Sequence, residues 1–236
     1  MGRQSKRRVM LAVVATITGF GAMTATEARA RPPTEASLPI EVIDAVNIAR
    51  ANPQGYADLL RGLKPAYHGN IVQEAGHPAA MTFEGVAAVD DAIRYLDHRQ
   101  PVPPLQWSEP LARAASRLVL DLGPKGGLGH TGSDGSTMTI RIRAEGVWAS
   151  AMEEDISLVP RTAAGVVRQL IIDDGVPGRG HRIAIFDSGL VIVGAACGPH
   201  ATYGWMCVID FAGGLMPAPG SESRGPPPPP PPPPPP

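Results

Sequence analysis

The chain has 236 residues, with 22 acidic and 21 basic side chains and a net charge of −1. Residues 1–30 hold five of the Lys/Arg and one acid, so residues 31–236 carry 16 basic and 21 acidic side chains, a net charge near −5. That balance, with no basic run after residue 30 and only Lys64 and Lys125 as lysines, argues against nucleic acid or an anionic membrane surface as a partner.

Residues 1–30 read as a secretory signal peptide. "MGRQSKRR" is a basic n-region, and "VMLAVVATITGFGAM" has the length of an h-region and is short for a membrane span. "ARA", ending at Ala30, fits a small-x-small cleavage site. The expectation is cleavage after Ala30 and an exported protein with no membrane span; an uncleaved anchor is the alternative. Residues 31–39 form a short leader. About 185 residues then precede the tail, enough for one domain with a core.

From Ile40 to about Leu122 the periodicity is helical. Ile43, Val46 and Ile48–Ala49 form one apolar stripe. Asn52 before Pro53 suits an N-cap with proline at N1, followed by Tyr56, Leu59, Leu60 and Leu63. Val86, Val89, Ile93 and Leu96 give a further stripe. Ser108 is placed to cap a helix whose stripe is Leu111, Ala114, Ala115, Leu118, Val119 and Leu122. After Pro160, "TAAGVVRQLIIDDG" reads as another helix, stopped by Gly175 and Pro177. Strands follow at about 189–197 and 204–212, separated by a turn-rich break. Helices first and an antiparallel hairpin last point to an α+β fold rather than βαβ winding.

Cys197 and Cys207 flank that break. Two cysteines in an exported chain suggest one disulfide closing the hairpin, with two buried thiols as the alternative. Their spacing matches neither a zinc ribbon nor a thioredoxin motif. Residues 217–236 are a proline-rich tail without a fold. Its eleven final prolines favour polyproline II, a rod of roughly 34 Å. It suits a spacer, a ligand for a proline-recognition or envelope partner, or a solvated tail.

HExxH, GxSxG and Walker A are all absent. What stands out are "GLGHTGSDGS" at 127–136 and "DDGVPGRGHR" at 173–182, each setting one histidine, His130 or His181, at a glycine-rich corner. Two imidazoles with one or two carboxylates can hold Zn²⁺ and leave a position open. They can equally bind a proton-sharing ligand without metal, or only fix their loops. Ser133, Asp134 and His130 crowd one loop, whereas a catalytic triad converges from different elements, so a serine hydrolase is not expected. His200 is expected in the last turn and His68, His77 and His98 on the surface. Trp107, Trp148 and Trp205 suit core or cleft walls. Arg141 and Arg143 are either partners of cleft acids or solvated helix charges.

Several segments together resemble the CAP superfamily (cysteine-rich secretory, antigen 5 and pathogenesis-related proteins), in its bacterial secreted SCP-like branch. "VNIARANPQG" is similar to the family's Asn-x-x-Arg-x-x-Pro start, and "LQWSEPLARAASRLV" to its second helix. "GHTGSDGS" stands at the first family histidine. "RIRAEGVWASAMEEDIS" resembles the Arg…Gly…Glu-Asn-Ile segment, "GRGHR" the Gly-His-Arg segment and "VGAACGPHATYGWMCVIDFAG" the closing hairpin. The match runs from about residue 41 to 214, within a domain set at 40–216.

The resemblance implies an α-β-α sandwich with a small antiparallel sheet between helices. It also implies a cleft lined by two histidines and two acids. These carry over to His130, His181 and Glu154, with Asp155 where the family has asparagine and Glu153 as a rival. The fourth member, a glutamate in the family, has no glutamate here; of Asp173 and Asp174, Asp173 takes its place. Family members are implicated in lipid or sterol binding, extracellular signalling and defence, mostly without turnover. The implied function is a secreted binding module for a lipid, small ligand or envelope component. The alternative is a hydrolase acting on peptide or envelope substrates through Zn²⁺ or another divalent metal on His130 and His181.

Overall fold

The structure, a computed structural model, describes residues 37–217 except His77. The signal peptide, most of the leader and the proline tail lie outside the described residues. The elements run α1 (Leu38–Ala51), α2 (Pro53–Leu63), a one-turn 3-10 helix (Lys64–Ala66), β1 (Tyr67–His68), β2 (Ile71–Val72), β3 (Ala80–Met81) and α3 (Val86–Asp97). They continue with β4 (Gln106–Trp107), α4 (Glu109–Leu122), α5 (Met138–Arg143), β5 (Val147–Leu158), α6 (Ala163–Ile172), α7 (Gly180–Ile185), β6 (Ile192–His200) and β7 (Gly204–Pro217). No described helix is long and apolar enough to cross a membrane.

The main sheet has the order β4-β6-β7-β5. β4 pairs parallel with β6, and the other two pairings are antiparallel. Strand β7 is buried on both faces, so its inner run reads as nearly continuous apolar sequence. Alternation sorts its side chains: Cys207, Ile209 and Phe211 join the core with α1, α3 and α6, while Met206, Val208 and Ala212 pack with α4 and α5. Helices therefore cover both faces, and the fold is the expected α+β sandwich. Gly194 in β6 lets α4 lie directly on the sheet, because a Cβ there would overlap the backbone of Leu111 and Ala112.

The helical stripes hold in part. All six expected residues of α4 are buried. In α1 the buried set is Leu38, Val42, Ile43, Val46, Ala49 and Arg50, and Ile48 instead faces solvent, as does Leu59 of α2. Asn52 caps α2, its Oδ1 accepting from the Gly55 amide at 2.9 Å. Ser108 precedes α4 but makes no capping bond, and its hydroxyl is buried without a partner. The hairpin is longer than expected, and Cys197 and Cys207 are directly opposed in it and joined by the disulfide. The twelve-residue β5 and the β1-β2-β3 meander carry no clear sequence signal.

The Asn-x-x-Arg motif ties α1 to the rest. Asn47 makes a two-way bond to the Leu105 backbone, donating to its carbonyl at 3.1 Å and accepting from its amide at 2.8 Å. Arg50 is buried and donates to the carbonyls of Pro103, Ile185, Asp187 and Leu190. Burial pulls its guanidinium down to about 10, partly offset by Asp187.

Candidate functional site

His130 lies in the loop between α4 and α5. The loop is pinned at its base, where Asp121 accepts from the amide and hydroxyl of Ser133, both at 2.6 Å, and also pairs with Lys125. His200 anchors it from the other side. Its Nε2 donates to the Gly127 carbonyl at 2.9 Å, and its Nδ1 accepts from the amides of Thr202 and Tyr203. Gly129, at φ 92°, takes the left-handed turn just before the histidine.

The imidazole reaches strand β5, where Nδ1 lies 2.9 Å from Oε1 of Glu154. The ring side chain is 57% exposed while Glu154 is 3% exposed, so the pair sits at the surface over a buried acid. Arg141 of α5 completes it. One guanidinium nitrogen pairs with Glu154 Oε2, and the other donates to the carbonyls of His130 and Ser136. The hydrogen bond that His130 donates to Glu154 raises the His130 pKa above its ordinary value, against burial and Arg141. Burial pushes Glu154 up, but bonds to His130, Asp210 and Arg141 outweigh it and hold the carboxyl low.

Asp210 stands opposite Glu154 in β7 and is fully buried. Neither of its oxygens receives a hydrogen bond. Burial first, then the Glu154 charge, pushes its pKa well up. A neutral Asp210 can donate its own proton to Glu154.

His181 forms a second pair. It sits in the first turn of α7, after left-handed residues at Gly178 and Arg179. Asp173 ends α6 in a left-handed conformation, φ 58°. One carboxylate oxygen lies 2.6 Å from His181 Nδ1, and the other accepts from the backbone amides of His181 and Arg182 at 3.1 and 3.3 Å. One acid thus closes α6, caps α7 and holds the imidazole. Asp174 does something else: it accepts from the amides of Phe83 and Glu84 and clamps the loop after β3. Behind Asp173 lies buried Asp155, whose Oδ2 has no partner. Burial first, then the charges of Asp173, Glu153 and Glu154, pushes Asp155 well up.

The two histidines line different hollows. His130 and Glu154 border one of about 320 Å³ with Thr131, Thr137 and Met138. His181 and Asp173 border one of about 380 Å³ that runs past Leu63, Tyr67, Val72, Met81 and Phe83. As neighbours in a strand, Glu154 and Asp155 point to opposite faces of β5. Among the described residues, no group of three or more His, Cys, Asp or Glu side chains is arranged to hold a metal ion.

Glu153 is exposed and borders the same hollow, but the hydrogen bond of His130 goes to Glu154. Ser133 and Asp134 serve loop bonds, with no triad around His130. His200 ends β6, buried, rather than sitting in the turn; His68 and His98 are exposed, and His77 is outside the described residues. Trp205 is in the core, Trp107 is half-buried and bonded to Glu109, and Arg143 is exposed. From the sequence Asp155 is named only as the residue in the family's asparagine position, and Asp210 is not singled out. A lone acid inside the apolar run "MCVIDFA" is the signal that could have found Asp210.

The chain belongs to the CAP family, the cysteine-rich secretory protein family, whose model matches residues 43–211. No curated protein matches it. Among solved structures, an outer surface protein from Borrelia burgdorferi is similar at 17% identity over 54% of this chain and 89% of that one, with a TM-score of 0.39. An extracellular protein containing an SCP domain, from Bacillus anthracis strain Ames, is similar at 16% identity over 51% of this chain and 37% of that one, with a TM-score of 0.40.

Proposed function

We propose that this CAP domain is an exported binding module for a lipid or other amphipathic small molecule. The observation that carries this reading is the 380 Å³ hollow, whose wall combines the His181–Asp173 pair and the Glu74–Arg168 ion pair with apolar side chains that include Leu63, Met81 and Phe83. Met81 and Phe83 border it while 86% and 80% exposed. Large apolar side chains left in water beside a hollow suit a ligand that covers them. With Nδ1 of His181 engaged by Asp173, Nε2 is the ring nitrogen left for a ligand hydroxyl. The His130–Glu154 pair offers a second polar contact of the same kind. The disulfide supports export to an oxidising compartment.

The hydrolase reading needs about three protein ligands around zinc plus an open position. Each imidazole here has a single carboxylate partner, so the residues do not fit that centre and no catalytic step is assigned. A fluorescent long-chain fatty acid is the binding probe. Wild type should bind it, and Phe83→Ala should weaken binding about tenfold through lost apolar contact. Absence of binding, or no effect of Phe83→Ala and His181→Ala, would remove this reading. Calorimetric titration with zinc alone tests the other. An isotherm lost in both His130→Ala and His181→Ala would put the metal reading first.

A further inference from the structure

On the far side of α3 a hollow of about 510 Å³ opens toward the segment that leads into α7. Four arginines line it, Arg94, Arg99, Arg179 and Arg182, together with Tyr95 and His98. Asp91 is the one acid in that lining. It accepts from Arg94 at 3.3 Å, Arg179 at 3.1 Å and Arg182 at 3.0 Å, and one carboxylate cannot neutralise three guanidinium groups.

The four cations are not equivalent. Arg182 is buried and also bonded to the carbonyls of Ile171 and Ile172. Arg179 is held by Glu84 through two bonds of 2.6 Å. These two form a fixed wall. Arg94 is 67% exposed and holds Asp91 by one long bond. Arg99 donates one terminal nitrogen to the Phe186 carbonyl, but its Nε is buried with no partner. The Tyr95 ring lies between two cations, 5.6 Å from the Arg99 guanidinium and 5.5 Å from that of Arg182. Against four guanidinium groups stand Asp91 in the lining and Glu84 on Arg179, so the positive charge around the hollow exceeds that of these carboxylates and favours an anion there.

We propose that this hollow is an oxyanion site that takes a phosphate monoester, with Arg99 and Arg94 as the binding residues and Arg179 and Arg182 as the fixed positive wall. A phosphate in the hollow meets the guanidinium groups of Arg99 and Arg94, whose planar forks suit its oxygens. Residues 31–236 are net negative, so the attraction is local to this wall.

The test is calorimetric titration with inorganic phosphate at low salt, beside co-sedimentation with phosphatidylcholine vesicles with and without phosphatidic acid. Wild type should bind phosphate, and Arg94→Gln/Arg99→Gln should weaken binding about tenfold or more. Arg113→Gln, at an exposed site on α4, should leave it unchanged. Arg94→Gln alone, at an exposed side chain, should shift affinity in the same direction without a folding loss. Phosphate binding without sedimentation assigns a soluble phosphate. Sedimentation with phosphatidic acid that free phosphate reverses assigns a lipid headgroup. No binding of phosphate up to about 10 mM together with no sedimentation overturns the site. So does binding that the Arg94/Arg99 variant leaves intact.

Discussion

Arg141 joins three parts of the His130 site, since it holds Glu154, the His130 carbonyl and the Ser136 carbonyl at once. Its side chain and that of Glu154 are both nearly fully buried. Removing one partner of such a pair leaves a buried charge alone, so Arg141→Met should destabilise the fold by about 3–5 kcal/mol in urea titrations. Glu154→Gln tests the other contact. The Glu154 carboxylate raises the His130 pKa, so the variant should bring the imidazole down in an NMR titration. An unchanged His130 would mean that the Nδ1–Oε1 contact is not made in solution. Asp210→Asn separates charge from shape. If Asp210 is neutral, its amide replacement removes no charge and His130 should titrate as in the wild type. A clear fall in the His130 pKa would show that Asp210 is an anion.

Elements were legible where one physical signal dominated. The stripe of α4 read correctly in full because one face packs on the sheet and the other meets water. The α1 stripe failed at Ile48 because the buried face instead includes Arg50, a charged residue that hydrophobic periodicity counts as polar. Strand β5 was hidden by "EED", since its alternation places acids rather than apolar groups on both faces. The meander strands have two residues each, too short for any period. His130, Glu154, Asp173 and His181 were found through the family resemblance, whereas Asp155 and Asp210 need the sheet register before their roles show. The closing hairpin yields a test at this scale. Its disulfide spans a sequence separation of 10. On the chain-entropy account Cys197→Ser/Cys207→Ser should lose roughly 2–3 kcal/mol, seen as a lower Tm. Mass spectrometry of unreduced wild type should recover the linked peptide.

For the molecule as a whole, the buried acids set the dependence of stability on pH. Asp155 and Asp210 have raised folded pKa values, so the folded state binds their protons more tightly than the unfolded chain does. Their stabilising effect is therefore greatest at low pH and is lost as pH rises from the ordinary carboxylate range through the raised values. His130, also raised, contributes fully below its unfolded value of 6.5 and loses that contribution as pH climbs through the folded one. Glu154 opposes them at the acid end: its lowered pKa gives stability above 4.5 that is lost as pH falls. Calorimetry from pH 4 to 9 should place the maximum in the mildly acidic range, with a decline toward pH 8. Each proton contributes a slope of up to about 1.4 kcal/mol per pH unit, and Asp155→Asn/Asp210→Asn should flatten the alkaline limb. A maximum at pH 8 or above would contradict this assignment. Arg50 has a different consequence, for the order in which the chain becomes a fold. Its four carbonyl acceptors lie 53 to 140 residues further along the sequence. A chain that emerges N-terminus first has no place to bury this guanidinium until residue 190 has followed. Full burial of Arg50 therefore waits for residue 190, which favours late closure of the domain over folding piece by piece.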